Sequence, residues 1–441
     1  MISPAAARRR YVVISALTWL PAGLGMPAFV LLMRERGLDV VTIGTVFAVY
    51  GAVTVLMELP TGGLADVIGR RGVLLASAAL TTASFAAMAL ATTAVQFLVL
   101  SVTKGLARSL SSGPAEAWYV DTVHAGDPEG DLRAGLSRGS AAGSAALALG
   151  TLTGGGLPLL VPSSWPVAAL AAPMVCAAVA GATLFAVVAV WMTEPRRPGR
   201  RQRPVAVLRA VPATVLSGAR LGLRSRSLTR LLAVSLALGV ALNAIELLTP
   251  GRLATLTGGA ETGTAGYAAV AAGGFLASAV GAALAAPLAR LFRGVTWRAT
   301  VAAGLLAAGS LGGLAATAEL SGMVGLVTTG AGYVLLFLGF GLAHPLRAEL
   351  LHARVGAAER ATLLSIDSML LQLGGVASAL GLSVLARQFG LDVAWSAAAV
   401  ALLAATVALV RTPSHEPHPD IVATTPAAVR KSTMVNSSPV P

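Results

Sequence analysis

Residues 62–75 read Gly62-Gly63-Leu64-Ala65-Asp66-Val67-Ile68-Gly69-Arg70-Arg71-Gly72-Val73-Leu74-Leu75. The stretch lies between two long apolar runs and packs four glycines, a carboxylate and paired arginines into a short turn. Glycines admit tight backbone approach. Asp66 is placed to accept hydrogen bonds from Arg70 or from a neighbouring helix N-terminus. The reading is a cytoplasmic hinge between two hydrophobic segments, and everything outward from it must be consistent with a membrane.

The bulk composition is. The chain has 441 residues, 56% hydrophobic and 12% charged, with mean hydropathy +0.78. That excludes a water-soluble protein and indicates a polytopic membrane one. The net charge of +13 is almost all arginine, Lys104 and Lys431 being the only lysines. Such charge orients helices and does not point to nucleic acid. Cys176 is the single cysteine, so no intramolecular disulfide forms. Arg8 to Arg10 followed by Tyr11 to Met33 imitates a signal peptide, but the apolar run is too long and others follow it, so it reads as an uncleaved first span.

Apolar segments of about 20 residues, the length needed to cross the hydrocarbon core, fall near Tyr11–Met33, Thr42–Leu64, Val73–Ala91 and Val95–Val120. Four more follow near Gly135–Val161, Pro166–Met192, Leu231–Leu248 and Ala265–Leu291. The last four are near Ala299–Thr317, Gly322–Leu346, Thr362–Ala386 and Val393–Val410, making twelve. With Arg8 to Arg10 in the cytoplasm, Arg70, Arg71, Arg133, Arg138, Arg290, Arg293, Arg347, Arg354 and Arg411 share that side. Arg34, Arg36, Arg252 and Arg387 fall on the other.

The densest basic run, Arg196 to Arg203, marks a linker partly helical along the membrane surface, its charge topological rather than a binding site. The expected organisation is a six-helix bundle over 1–193, a cytoplasmic basic linker over 194–230, a second six-helix bundle over 231–411 and a disordered cytoplasmic tail over 412–441. The halves carry a thin repeat: Gly105-Leu106-Ala107-Arg108 matches Gly341-Leu342-Ala343-His344, and Arg133-Ala134 matches Arg360-Ala361. Two parallel halves require that placement.

Ionisable groups inside spans are costly and need a partner or a wet cavity. They are Glu58, Lys104, Arg108, Glu116, Glu246 and Asp367. Lys104, Arg108, Ser112 and Glu116 recur every fourth residue, a polar stripe expected to face a cavity. At about 1.5 Å per residue, Glu58 lies roughly 12 Å in from Asp66 and Arg108 roughly 20 Å in from Asp121, so the two are expected to meet across the centre. A structural ion pair explains the same residues. Glu246, close to Asn243 and followed by Pro250, and Asp367, two turns into its span, are the second half's candidates. Helix-end roles compete for both. A buried carboxylate beside a cation suits proton coupling, with Glu58 as the expected coupling carboxylate, Arg108 its tuner, and Lys104 and Glu246 further cavity contacts. Lys104 and Arg108 also suit an anionic substrate directly.

Gly62 to Arg71 resembles the loop 2-3 signature of the major facilitator superfamily, Gly-x-x-x-Asp-basic-x-Gly-basic-basic, with Val67 where a basic residue is usual. The resemblance implies an all-α membrane fold of twelve helices in two pseudo-symmetric bundles. It also implies a cytoplasmic gate built from Gly62, Asp66, Gly69, Arg70, Arg71 and Asp121, with Asp66 facing the N-terminus of span eleven. The matching loop near Ala285 to Gly294 keeps Arg290 and Arg293 but has no acid. Ala146 to Gly155 is similar to the family's glycine-rich antiporter motif at Gly150, Gly154 and Gly155, with Ala146 and Thr151 departing from it; close helix packing accounts for the same glycines. Glu58-Leu59-Pro60-Thr61-Gly62 and Ser112 to Asp121 resemble a bacterial drug-exporter branch.

No zinc-ligand spacing, full calcium loop or phosphate loop occurs. The expectation is therefore a secondary transporter with no metal and no cofactor, powered by a proton gradient and exporting a small amphipathic compound. Its partners are that substrate, protons and the bilayer, not nucleic acid. It is expected as a monomer in a bacterial inner membrane, both termini cytoplasmic. An uptake symporter for an organic anion and a non-transporting receptor on the same fold are the alternatives.

Overall fold

The computed structural model describes residues 2–127, 130–162, 164, 168–194, 220–223, 225–356 and 359–411, excepting the side chains of 59, 62–67, 361 and 411. The expected linker between 195 and 219 and the expected tail from 412 onward lie outside the described residues. The first half comprises α1 (Pro4–Glu35), α2 (Val40–Ile68), α3 (Arg70–Leu90), α4 (Ala94–Ser111), α5 (Pro114–His124), α6 (Arg133–Leu160) and α7 (Ala172–Trp191). The second comprises α8 (Arg226–Thr257), α9 (Ala260–Leu291), α10 (Thr296–Ala316), α11 (Gly322–His352), α12 (Arg360–Phe389) and α13 (Leu391–Ala408). Among the described residues, eleven helical segments are long and apolar enough to cross a membrane. Large aliphatic side chains such as Leu90, Leu160 and Val190 stand exposed on their outer faces, as lipid contact requires.

The helix ends follow local chemistry. Asp39 caps α2 through the Thr42 amide at 2.8 Å, Thr93 and Gln96 form a capping box on α4, and Ser225 caps α8 through Leu228 at 3.1 Å. That last cap starts the seventh span at Arg226, ahead of the expected Leu231. Pro250 does not end it, because the helix runs on to Thr257, so Glu246 is not a helix-end residue. Proline inside a membrane helix is tolerated where neighbours satisfy the freed carbonyls.

Two expectations are corrected. The opening stretch is not an extended turn: α2 continues to Ile68 and the chain breaks only at Gly69, whose φ of 92° suits glycine. The fourth span is not one helix. Ser112 and Gly113 interrupt it, Gly113 at φ 94° and Pro114 occupying the first turn of α5. A residue before proline is pushed out of the helical region, and glycine accepts the left-handed alternative. The polar stripe therefore stops at Arg108, and Glu116 is an exposed residue in the first turn of a separate helix.

Helix pairing is duplicated between halves. α1 packs on α6 as α8 packs on α12, α2 on α4 as α9 on α11, and α3 on α7 as α10 on α13. The sequence repeat has a physical reason. A Cβ at Gly105 would press on Val53 at 2.9 Å and on the Tyr50 carbonyl at 3.0 Å of α2, and one at Gly341 would strike Ser278 of α9, so each glycine brings its helix against the equivalent neighbour. Between halves, α2 packs on α12 and α6 on α9.

Candidate functional site

Where the halves face each other a cavity of about 370 Å³ is lined by residues of both. Its walls are mainly apolar and aromatic, including Trp19, Phe29, Tyr50, Tyr267 and Phe275. Among the described residues, two charged side chains reach it, Lys104 from α4 and Glu246 from α8. The Lys104 ammonium sits 4.4 Å from the Phe29 ring centre, 5.3 Å from that of Phe85 and 5.4 Å from that of Tyr50, a partial aromatic cage that offsets some lost hydration. Neither Lys104 nor Glu246 has a hydrogen bond or an ion pair within 4.0 Å among the described residues. Behind Tyr267, Tyr333 meets it edge to face at 6.1 Å, and Phe337 stacks on Tyr333 at 4.9 Å.

The other expected site residues are dispersed. Arg108 lies over the Trp19 ring at 4.7 Å and donates to Ser111 at 3.4 Å. Glu58 does not meet it. Its carboxylate accepts from Ser368 of α12 at 3.2 Å, bridging the halves, while Oε2 is buried without a partner among the described residues. Asp367 is held away from the cavity by Arg347, through two hydrogen bonds at 2.5 and 3.1 Å, and by the Ser235 hydroxyl. Arg347, expected on the cytoplasmic side just beyond a span ending near Leu346, is buried inside α11, because that helix continues past Leu346 to His352.

In the region expected to form the gate, Arg70 stands against Asp121 at 3.1 Å. The side chains of Gly62 and Asp66 lie outside the described residues. A carboxylate that sequence reading missed is present: Glu194, just past α7, accepts from the Arg71 amide at 2.6 Å and covers the N-terminus of α3, while Arg71 donates to the Ala189 carbonyl at 2.6 Å. The span-five glycines serve close packing. Gly150 and Gly154 abut Leu20 and Leu24 of α1, and Gly155 abuts Ala268 of α9 in the other half.

The four arginines that broke the charge asymmetry are at the opposite end. Arg387 pairs with Asp39 at 3.0 Å, Arg252 donates to the Leu320 carbonyl, and Arg34 lies against Gly251. Arg36 sits at the C-cap of α1. The aromatic residues were the overlooked signal: in a chain with five tyrosines, Tyr50 and Tyr267 face the cavity.

The sequence pattern described as Major Facilitator Superfamily matches residues 11–379. The chain belongs to the major facilitator superfamily. No curated protein matches it. As a member of that superfamily it shares its fold with the nucleoside transporter NupG, at 13% identity and TM-score 0.72 over 92% of this chain and 98% of that one. A variant of the peptide transporter POT in complex with sulfate matches at 15% identity and TM-score 0.67, over 91% and 94%. The human organic anion transporter MFSD10 matches at 16% identity and TM-score 0.59, over 93% and 100%. At such identities the likeness carries the fold alone. This superfamily member is a multi-pass membrane transporter, not an enzyme, and the family needs no cofactor; among the described residues no cluster of three or more His, Cys, Asp or Glu could hold a metal.

Proposed function

We propose that the chain exports a small amphipathic compound in exchange for protons, its two six-helix halves giving alternating access to the central cavity. The observation that supports this is the placement of Glu246: a carboxylate with no hydrogen bond and no ion pair within 4.0 Å among the described residues, in an apolar cavity walled by both halves. Such a group exchanges a proton as its surroundings change from dry to wet. Glu246 takes the coupling role, while Glu58, engaged by Ser368, belongs to the contact between halves. Arg70, Asp121 and Glu194 brace the end expected to be cytoplasmic, in a bacterial inner membrane. In proteoliposomes, Glu246→Gln loses transport driven by a pH gradient; full retained coupling sinks the assignment.

Lys104 supports a second reading, uptake of an organic anion together with protons, because its ammonium also lacks an acidic partner within 4.0 Å. The direction in which protons move when substrate is added separates the two: opposite to substrate in exchange, with it in uptake.

A further inference from the structure

Two helices from opposite halves present opposite chemistry to one cavity. On α4, Ser101 and Lys104 both line it, three residues apart and hence on one helix face. On α8, Asn243 and Glu246 do the same. The Ser101 hydroxyl and the Asn243 carbonyl oxygen are buried with no hydrogen-bond partner among the described residues. Lys104 and Glu246 stand more than 4.0 Å apart, close enough to attract each other, and both border the same cavity of about 370 Å³.

We propose that this cavity selects ampholytes, compounds carrying an anionic group and a cationic or N–H donor group on one apolar body, the anion set against Lys104 and the cation against Glu246 and Asn243. The inference rests on the transport reading above. A buried charge is costly without a counter-charge. A compound that is only cationic satisfies Glu246 and leaves Lys104 facing a like charge. One that is only anionic fails in the mirror sense. An ampholyte satisfies both, and Phe29, Trp19 and Phe275 receive its apolar body.

The test uses the purified full chain and three fluorescent probes with one dansyl body: the zwitterion Nε-dansyl-lysine, its cationic methyl ester and its anionic Nα-acetyl derivative. The zwitterion is expected to bind about ten-fold or more tighter than either, the worth of one charge-assisted hydrogen bond. Lys104→Met should erase its advantage over the ester, and Glu246→Gln its advantage over the acetyl form. The double exchange Lys104→Glu with Glu246→Lys should restore the preference, with the thermal midpoint reporting that each variant is folded. The ranking on the unaltered protein needs no variant. Equal or weaker binding of the zwitterion, no binding of any probe, or a preference untouched by both single changes overturns the proposal. A singly charged compound exchanged for protons overturns it and leaves the transport reading standing; zwitterion preference without any proton movement sinks the transport reading alone.

Discussion

Arg347 of α11 and Asp367 of α12 form a two-pronged ion pair at 2.5 and 3.1 Å, with side chains only 6% and 15% exposed. Ser235 of α8 completes it by contacting both partners, so three helices of the second half are tied at one point. Removing one member strands the other charge away from water. Arg347→Met alone, or Asp367→Leu alone, is expected to cost about 3–5 kcal/mol, and the double change much less than the sum. Thermal unfolding of the four proteins in detergent measures this; additive losses would refute a coupled pair.

Neighbouring glycines of α6 should respond in opposite ways to the same change. A Cβ at Gly154 would collide with the Leu24 backbone of α1, whereas one at Gly156 meets nothing within 4 Å. Gly154→Ala is expected to destabilise by about 1–3 kcal/mol. Gly156→Ala is expected to be neutral or to gain about 0.5–1 kcal/mol from helix propensity. Equal melting points for the two variants would show that the α1–α6 approach is looser than described.

Glu194 behaves as a cap supplied from the segment that follows α7. Its exposed carboxylate accepts the Arg71 amide at the start of α3, and helix starts favour such an acceptor. Glu194→Ala should cost about 0.5–2 kcal/mol and raise amide hydrogen exchange at residues 70–73, with Glu194→Asp intermediate. Unchanged exchange there would exclude the role.

Asp39 gives an acid-side signature. Hydrogen bonds from the Thr42 hydroxyl and amide, and then the Arg387 guanidinium, hold its carboxyl below the ordinary carboxylate value. A carboxyl depressed in the folded state contributes stability that is present above its unfolded value, about 3.9, and is lost as pH falls through the folded value. The contribution is small because the pair is half exposed. The melting point of Asp39→Asn should therefore differ from that of the unaltered protein by the same amount at pH 7 and pH 5, and the gap should close only below about pH 4. A gap that widens in acid contradicts the assignment.

Hydrophobic length and arginine placement made the membrane fold legible, because lipid leaves few other options for an apolar run of that size. The family resemblance carried by the glycine-rich stretch, not its residues alone, is what put Arg70 and Asp121 into one expectation, and the two stand 3.1 Å apart. Less was legible at the site. Periodicity carried the stripe from Lys104 to Glu116 across a Gly-Pro step that ends the helix. Spacing along a chain also gives depth but not azimuth, so Glu58 and Arg108, placed at compatible depths, turned to Ser368 and Trp19 instead. Arg347 fell just outside the expected span because hydropathy falls near Leu346, while the helix runs on and buries it. Glu194 lies far in sequence from the turn it covers, and nothing local signals the contact.

The interruption at Ser112 and Gly113 also fixes how the region between 94 and 124 will answer a residue-by-residue scan. An unbroken helix advances about 100° per residue, so labelling rates at successive introduced cysteines would trace one sinusoid. Here Lys104 and Asp121 belong to different helices with separate axes. The trace should hold one phase up to Ser111 and resume from Pro114 with an offset, and the size of that offset would report the angle between the two axes in the membrane.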